Sequence, residues 1–384
     1  MYALTNGTLF TGAAELNDLA VWVVGDRIQA LLPPHQLPAD LPQVDLQSHY
    51  VAPGFIDLQL NGCGGVMFND QIAPATLEVM HQTNLRSGTT SFLPTLITAS
   101  DADMITALEV VAAYRQQHSS QVLGVHLEGP YLNPRRKGIH NGGYIRPPDW
   151  PMLKRIAQAN STGVRLITLA PEMVEPAAIQ LLTEAGVVVA AGHTDATYEQ
   201  AIAGFDAGIT MATHLFNAMT PWQGRSPGMV GAVFNRAEIY AGIIADGHHV
   251  HFQSIALAQK IKGDRLLLVT DATPPAGTTL ASFVIGGQEV FYQDGKCVSA
   301  DGTLGGSALT MIEAVKNCVE HLSLPLAEAL RMASLYPAAA IGYAQELGKI
   351  APGYRANLVI FNRDWSVTGV VDQGQYQNLA PIQT

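Results

Sequence analysis

Charge is what this chain has least of. Only 14% of its 384 residues are Asp, Glu, Lys or Arg, against about 25% in ordinary soluble domains. With 48% apolar residues, the shortfall implies a large core and surface buried between subunits. The charge that remains is acidic, net −11, which argues against nucleic acid or an anionic membrane as partner; a local basic site can still receive a small anion. Cysteine is scarce too. Cys63, Cys297 and Cys318 are too few and too scattered for a disulfide framework and suit a reducing compartment. The opening Met1-Tyr-Ala-Leu-Thr-Asn-Gly has no basic stretch leading into an apolar one, so no secretory leader is expected. No apolar run approaches the roughly 18 residues of a membrane span. A cytoplasmic location is the resulting expectation. A Gly-x-x-x-x-Gly-Lys-Ser/Thr loop is also missing, which excludes a P-loop nucleotide cradle.

What the chain does have is rhythm. Residues 1–52 read as short strands broken at Asn6-Gly7, Gly25-Asp26 and Pro33-Pro34, with Val21–Val24 as a strand core. From Gly54 apolar runs alternate with helical stretches. Eight runs stand out: Phe55–Leu60, Ser91–Leu93, Val122–Glu128, Leu166–Leu169, Val187–His193, Thr210–His214, Tyr240–Ala245 and Leu266–Asp271. Helices are expected at Met104–Gln117, capped by Ser100 or Asp101, and at Thr197–Ala207, then at about Ser307–His321 and Leu326–Ala340. Doubly buried strands alternating with helices imply a parallel sheet, and eight of them a (β/α)₈ TIM barrel. A doubly wound open sheet is the alternative on pattern alone. After Gly348, Ala356–Phe361 and Val367–Val371 return to strand character. The expectation is an α/β protein with a barrel over 53–344 and a small β-sandwich built from both termini, 1–52 and 345–384. A β excursion at about 273–304 carries hairpin turns at Ile285-Gly-Gly-Gln and Gln293-Asp-Gly-Lys.

Four of the eight runs end in residue types that bind metals: Glu128, His193, His214 and Asp271. Strand ends converge at the C-terminal mouth of a barrel, whereas an open sheet would spread them along an edge. Catalytic zinc-type sites use about three protein ligands and keep one position open. Glu128, His193 and His214 supply one carboxylate and two imidazoles, which leaves Asp271 free as general acid and base. The donor set suits Zn²⁺ and admits Fe²⁺, Co²⁺ or Mn²⁺.

Longer stretches carry a resemblance. Phe55-Ile-Asp-Leu-Gln-Leu-Asn-Gly-Cys-Gly-Gly65, His126-Leu-Glu-Gly-Pro130, Ala191-Gly-His193, Thr213-His-Leu-Phe-Asn-Ala-Met219 and Val269-Thr-Asp-Ala272 resemble the N-acetylglucosamine-6-phosphate deacetylases of the amidohydrolase superfamily, over essentially the whole chain. The resemblance implies hydrolysis of the N-acetyl amide of a phosphorylated amino sugar, with the galactosamine epimer as the nearest rival. Many superfamily relatives carry His-x-His after the first strand; here the stretch is Asp57-Leu-Gln59-Leu-Asn61. That implies one divalent ion per subunit, with Gln59 near it through water. It further implies that His140 polarises the acetyl carbonyl, that Asn217 and Ala218 meet the sugar phosphate, and that His249 and Arg225 hold the phosphate. In the family Arg225 reaches in from a neighbouring subunit, so a homodimer or homotetramer is expected. Cys63 receives no catalytic role. A cyclic amidase reading fits poorly without His-x-His, and an inert assembly protein would have lost ligands that are all present here.

Overall fold

The computed structural model describes residues 1–160 and 162–379. Its centre is a sheet of eight parallel strands: β1 (Phe55–Leu60), β2 (Thr89–Ile97), β3 (Val125–Glu128), β4 (Val164–Leu169), β5 (Val188–Ala191), β6 (Met211–Ala212), β7 (Tyr240–Ile243) and β8 (Leu266–Leu268). Spatial order follows chain order throughout, as helical crossovers in a TIM barrel produce; a doubly wound sheet would reverse at a switch point. The seam between β8 and β1 closes through a few contacts. Asp271 N donates to Gln59 O at 2.9 Å and Asn61 N to Ala272 O at 2.9 Å. Buried Asp57 accepts from both the amide and the hydroxyl of Thr270. Barrel closure thus sets Asp271 beside Gln59 and Asn61.

The helices start where side chains can cap them. Ser100 accepts from Asp103 N ahead of Asp101–His118, and a Thr197–Gln200 capping box opens Tyr198–Asp206. Two expected helices are corrected. The one expected from Ser307 begins at Met311 behind a Thr310–Glu313 capping box. Ser307 is otherwise engaged: its hydroxyl donates to Thr270 O at 2.6 Å and its amide to Asp271 O at 2.9 Å. The helix expected over Leu326–Ala340 is two, Leu326–Ala333 and Leu335–Ala340. Pro337 has no N–H for the Ala333 carbonyl, so the turn breaks at Ser334.

Both termini contribute to two sheets beside the barrel. Tyr2–Thr5, Ala20–Val24, Arg27–Leu32 and Gln43–Asp45 form one. The other pairs Thr8–Phe10, Glu15–Leu16 and Tyr50–Pro53 with Leu358–Phe361, Val367–Asp372 and Gln375–Asn378. Leu4, Val21, Val23 and Ile28 meet Val51, Leu358, Ile360 and Val371 in one apolar cluster. Residues 380–384, expected in this unit, lie outside the described residues. Asp372 accepts from His81 Nε2 at 2.9 Å and Gln121 Nε2 at 2.8 Å, fastening sheet to barrel. The excursion is a three-stranded antiparallel sheet, Ser282–Ile285, Gln288–Gln293 and Lys296–Ser299. Its two-residue turns, Gly286-Gly287 and Asp294-Gly295, have positive φ at every position, as type I′ hairpins require.

Candidate metal centre and active site

Three of the four ligand-type residues do not end a strand, as the sequence reading had it; they stand two or three residues beyond one. Strands β5, β6 and β8 stop at Ala191, Ala212 and Leu268. His193, His214 and Asp271 follow with left-handed backbones, φ 47°, 30° and 52°. A non-glycine residue there costs on the order of 1–3 kcal/mol and persists where its surroundings over-determine it. The turn breaks the alternation of the strand and swings each side chain into the mouth. Gly192 shows how tight the approach is: a Cβ there would lie 2.8 Å from Thr168 Cγ2 and 2.9 Å from Thr213 Cβ.

The side chains converge. Glu128 Oε1 lies 3.1 Å from His193 Nε2 and 3.2 Å from His214 Nε2, and the two ring nitrogens are 3.0 Å apart. All three residues are buried. His193 Nδ1 is 2.8 Å from Arg136 O, so in the neutral ring it carries the proton and Nε2 presents a lone pair. With Glu128 Oε1 and His214 Nε2 beside it, three atoms of ligand type face one point. An ion about 2.0–2.1 Å from tetrahedral ligands spaces them about 3.3 Å apart, close to what is found, and the donor set fits a single divalent metal. Burial works against the charge of Glu128, yet the imidazoles beside it hold its carboxyl well below the usual carboxylate range. His214 is driven the other way: burial opposes its protonation, but Glu128 raises its pKa. His140 stands in the same group, since Glu128, His140 and His193 offer ligand atoms all within 4.8 Å of one another. Its Nδ1 is 2.7 Å from Thr98 Oγ1, which leaves Nε2 free. The shorter mutual distances favour His214 over His140 as third ligand. Beneath the cluster His126 bridges Thr95 and Thr168 at 3.2 and 2.7 Å, and burial pushes it down to about 4, a neutral floor for the site.

Across the mouth Asp271 sits in a different environment. Its Oδ1 accepts from Asn61 Nδ2 at 2.7 Å and Gln59 Nε2 at 3.1 Å. Gln59 Nε2 is also 3.1 Å from Glu128 Oε1, so this carboxamide ties the two carboxylates together. Burial pushes Asp271 up to about 6, with the charge of Glu128 adding to it. That is a carboxyl poised to exchange a proton near neutrality.

A cavity of about 300 Å³ opens over these groups. Of the residues singled out from sequence, Glu128, His140, His193, His214, Asn217, Ala218, His249 and Asp271 line it. His249 Nδ1 is 2.6 Å from Asp246 Oδ2. Arg225 does not line the cavity; it lies in the exposed turn bridged by Gln223 and Ser226. Sequence reasoning missed Arg135 and Arg136, which line the rim, and the apolar wall of Ile97, Ile139 and Ile285. The Arg135-Arg136-Lys137 run, rare in so acidic a chain, was the available signal. The wall has no local signal, because three separate segments build it.

Comparison with known proteins agrees with this geometry. The amidohydrolase family profile matches residues 50–376 and a NagA composite domain profile matches residues 1–51. The N-acetylglucosamine-6-phosphate deacetylase of Haemophilus influenzae is 44% identical over 379 residues, 98% of this chain and 99% of that protein. An N-acetylgalactosamine-6-phosphate deacetylase of a Shewanella species is 37% identical over 377 residues, 97% of this chain and 93% of its own length. Among solved structures, the N-acetylglucosamine-6-phosphate deacetylase of Pasteurella multocida superposes with a TM-score of 0.96 at 46% identity, covering 98% of this chain and 100% of that one.

Proposed function

The chain belongs to the amidohydrolase family, and from that membership we propose that it hydrolyses the N-acetyl amide of N-acetyl-D-glucosamine 6-phosphate to D-glucosamine 6-phosphate and acetate, in amino-sugar catabolism and cell-wall sugar recycling. The observation that carries the reading is the convergence of Glu128, His193 and His214 opposite a separately held Asp271 in one cavity. In this reading those three side chains hold one divalent ion, Zn²⁺ by preference. When bound, such an ion supplies Lewis-acid polarisation of the amide carbonyl and acidifies water at neutral pH.

The chain's own residues do the rest. Asp271 takes the proton from the attacking water and later passes it to the leaving amine nitrogen, so the carboxylate is regenerated. Gln59 and Asn61 keep that carboxylate aimed by donating to Oδ1. Burial pushes His140 down to about 3, so the ring is neutral. The Thr98 hydroxyl has Nδ1 at 2.7 Å and Glu128 O at 3.3 Å; in this reading it gives its one hydrogen to the nearer Nδ1, and the Nε2–H is then available to the carbonyl oxygen, where negative charge develops. In this reading His249 binds phosphate as an imidazolium, giving Nδ1–H to Asp246 and Nε2–H to a phosphate oxygen, and Asn217 and Ala218 meet the sugar phosphate. Arg225 completes the phosphate site from a neighbouring subunit, within a homodimer or homotetramer. Its exposure on its own chain and the exposed Trp222 beside it support that arrangement. We place the enzyme in the cytoplasm, whose reducing conditions suit its three buried, unpaired cysteines; among the described residues no helix is long and apolar enough to cross a membrane.

The galactosamine epimer is the second reading, supported by the 37% relative and outweighed by the 44% one. Acetate release from the two phosphorylated sugars separates them. A larger kcat/KM for the glucosamine substrate is expected, and equal or inverted values overturn the assignment.

A further inference from the structure

We infer that Glu172 is a positioning residue for His193 and thereby sets how tightly the divalent ion is held. This rests on the reading of His193 as a metal ligand. Glu172 lies three residues past β4, in the turn Pro171–Met173, and does not line the cavity. Its carboxylate is nonetheless fully engaged. Oε1 accepts from Asn133 Nδ2 at 2.9 Å and from Asp195 N at 2.6 Å, and Oε2 from the Thr194 hydroxyl at 2.5 Å.

The partners lead back to His193 from both directions. Asp195, joined to Glu172 through its amide, accepts from Arg136 Nε at 2.8 Å through its carboxylate. Arg136 O receives the His193 Nδ1–H at 2.8 Å. On the other side, Asn133, whose side chain donates to Glu172, gives its own amide to His193 O at 2.9 Å. The circuit is therefore closed: His193 ring, Arg136, Asp195, Glu172, Asn133, His193 backbone. It ties together the loops that follow β3, β4 and β5.

Two consequences follow for the ligand. The Nδ1–H bond admits only the tautomer whose Nε2 lone pair faces Glu128. The left-handed backbone of His193, φ 47°, needs surroundings that leave it no alternative, and the circuit supplies them. A carboxylate suits the hub because it accepts from all three groups; a carboxamide keeps the Asn133 and Asp195 donors on its oxygen only by turning its N–H₂ to the Thr194 hydroxyl, which must then accept instead of donate. A plain loop brace would have no reason to close on the imidazole and its own carbonyl together.

The test uses the full-length holoenzyme and its Glu172→Gln, Glu172→Asp and Glu172→Ala variants. Zinc affinity is read by chelator competition, the cobalt-substituted protein by its visible absorption, and KM and kcat at saturating zinc. Glu172→Gln is expected to weaken zinc binding by about 10–100-fold, the usual cost of losing an outer partner of a ligating histidine. It should also alter the cobalt spectrum and leave KM for the sugar unchanged. Glu172→Asp should recover part of the affinity. Unchanged affinity and spectrum in Glu172→Gln, with only a lower melting temperature, would overturn the inference. Should Glu172→Ala fail to fold, Thr194→Val, which removes one of the three donors, must still weaken zinc binding. If His193→Ala binds zinc as tightly as the wild type, the ligand reading falls instead, and this inference with it.

Discussion

The two halves of the mouth are built on opposite principles. On the side of β3, β5 and β6, Glu128, His193 and His214 crowd their ligand-type atoms to within 3.0–3.2 Å of one another. His214 Nδ1 finds no hydrogen-bond partner among the described residues. On the side of β8 and β1, the Asp271 carboxylate is met by donors, Asn61 at 2.7 Å and Gln59 at 3.1 Å. The first half is electrostatically incomplete without a cation; in the second the Asp271 carboxylate has protein donors, and the atom left without a partner among the described residues is Asn61 Oδ1. A site divided this way separates holding an ion from moving a proton, and Gln59, bonded to both carboxylates, is where the halves touch.

Substitutions on the two sides should therefore fail differently. His214→Ala should lose both the ion and nearly all turnover, seen by metal analysis beside acetate release. Asp271→Asn should keep the ion and lose about 10²–10⁴ in kcat, the range expected of general acid–base catalysis; loss of the ion as well would erase the division. Arg225→Ala stands outside both halves. It should raise KM for the phosphorylated sugar about tenfold or more, the cost of a charge-assisted hydrogen bond, and barely affect an unphosphorylated analogue. Mixed with Asp271→Asn chains it should recover activity in hybrids. The smallest effect is a shift in pH dependence. Asp271 works as a base only when deprotonated, so activity falls as pH drops through its pKa, pushed up to about 6 by burial. Asn61 donates to the charged form and lowers that value. Asn61→Leu should move the acid limb of the kcat profile to higher pH; no movement, or movement to lower pH, breaks the proposed support.

Much of this is legible in the sequence. Burial on both faces made the strands readable as apolar runs, and ligand-type residues at their ends marked the mouth. Hairpin turns at Gly286-Gly287 and Asp294-Gly295 were legible because only such residues take positive φ cheaply. The strand ends were placed too late because His193, His214 and Asp271 occupy a backbone region their residue types do not advertise. Helix starts were displaced where a side chain had a tertiary task, as Ser307 does on the backbone of Asp271. Glu172 escaped notice although it too follows a barrel strand. Its partners Asn133, Thr194 and Asp195 come from two other loops, and no local pattern joins them.

Metal stoichiometry measured together with chelator-dependent turnover bears most directly on the central claim of one divalent ion held by Glu128, His193 and His214 beside a free Asp271. Native protein should carry one tightly bound equivalent per chain. Stripping it should abolish acetate release from N-acetyl-D-glucosamine 6-phosphate, and one added equivalent of zinc should restore it. Two tightly held equivalents, or turnover that survives complete removal of metal, would contradict the account.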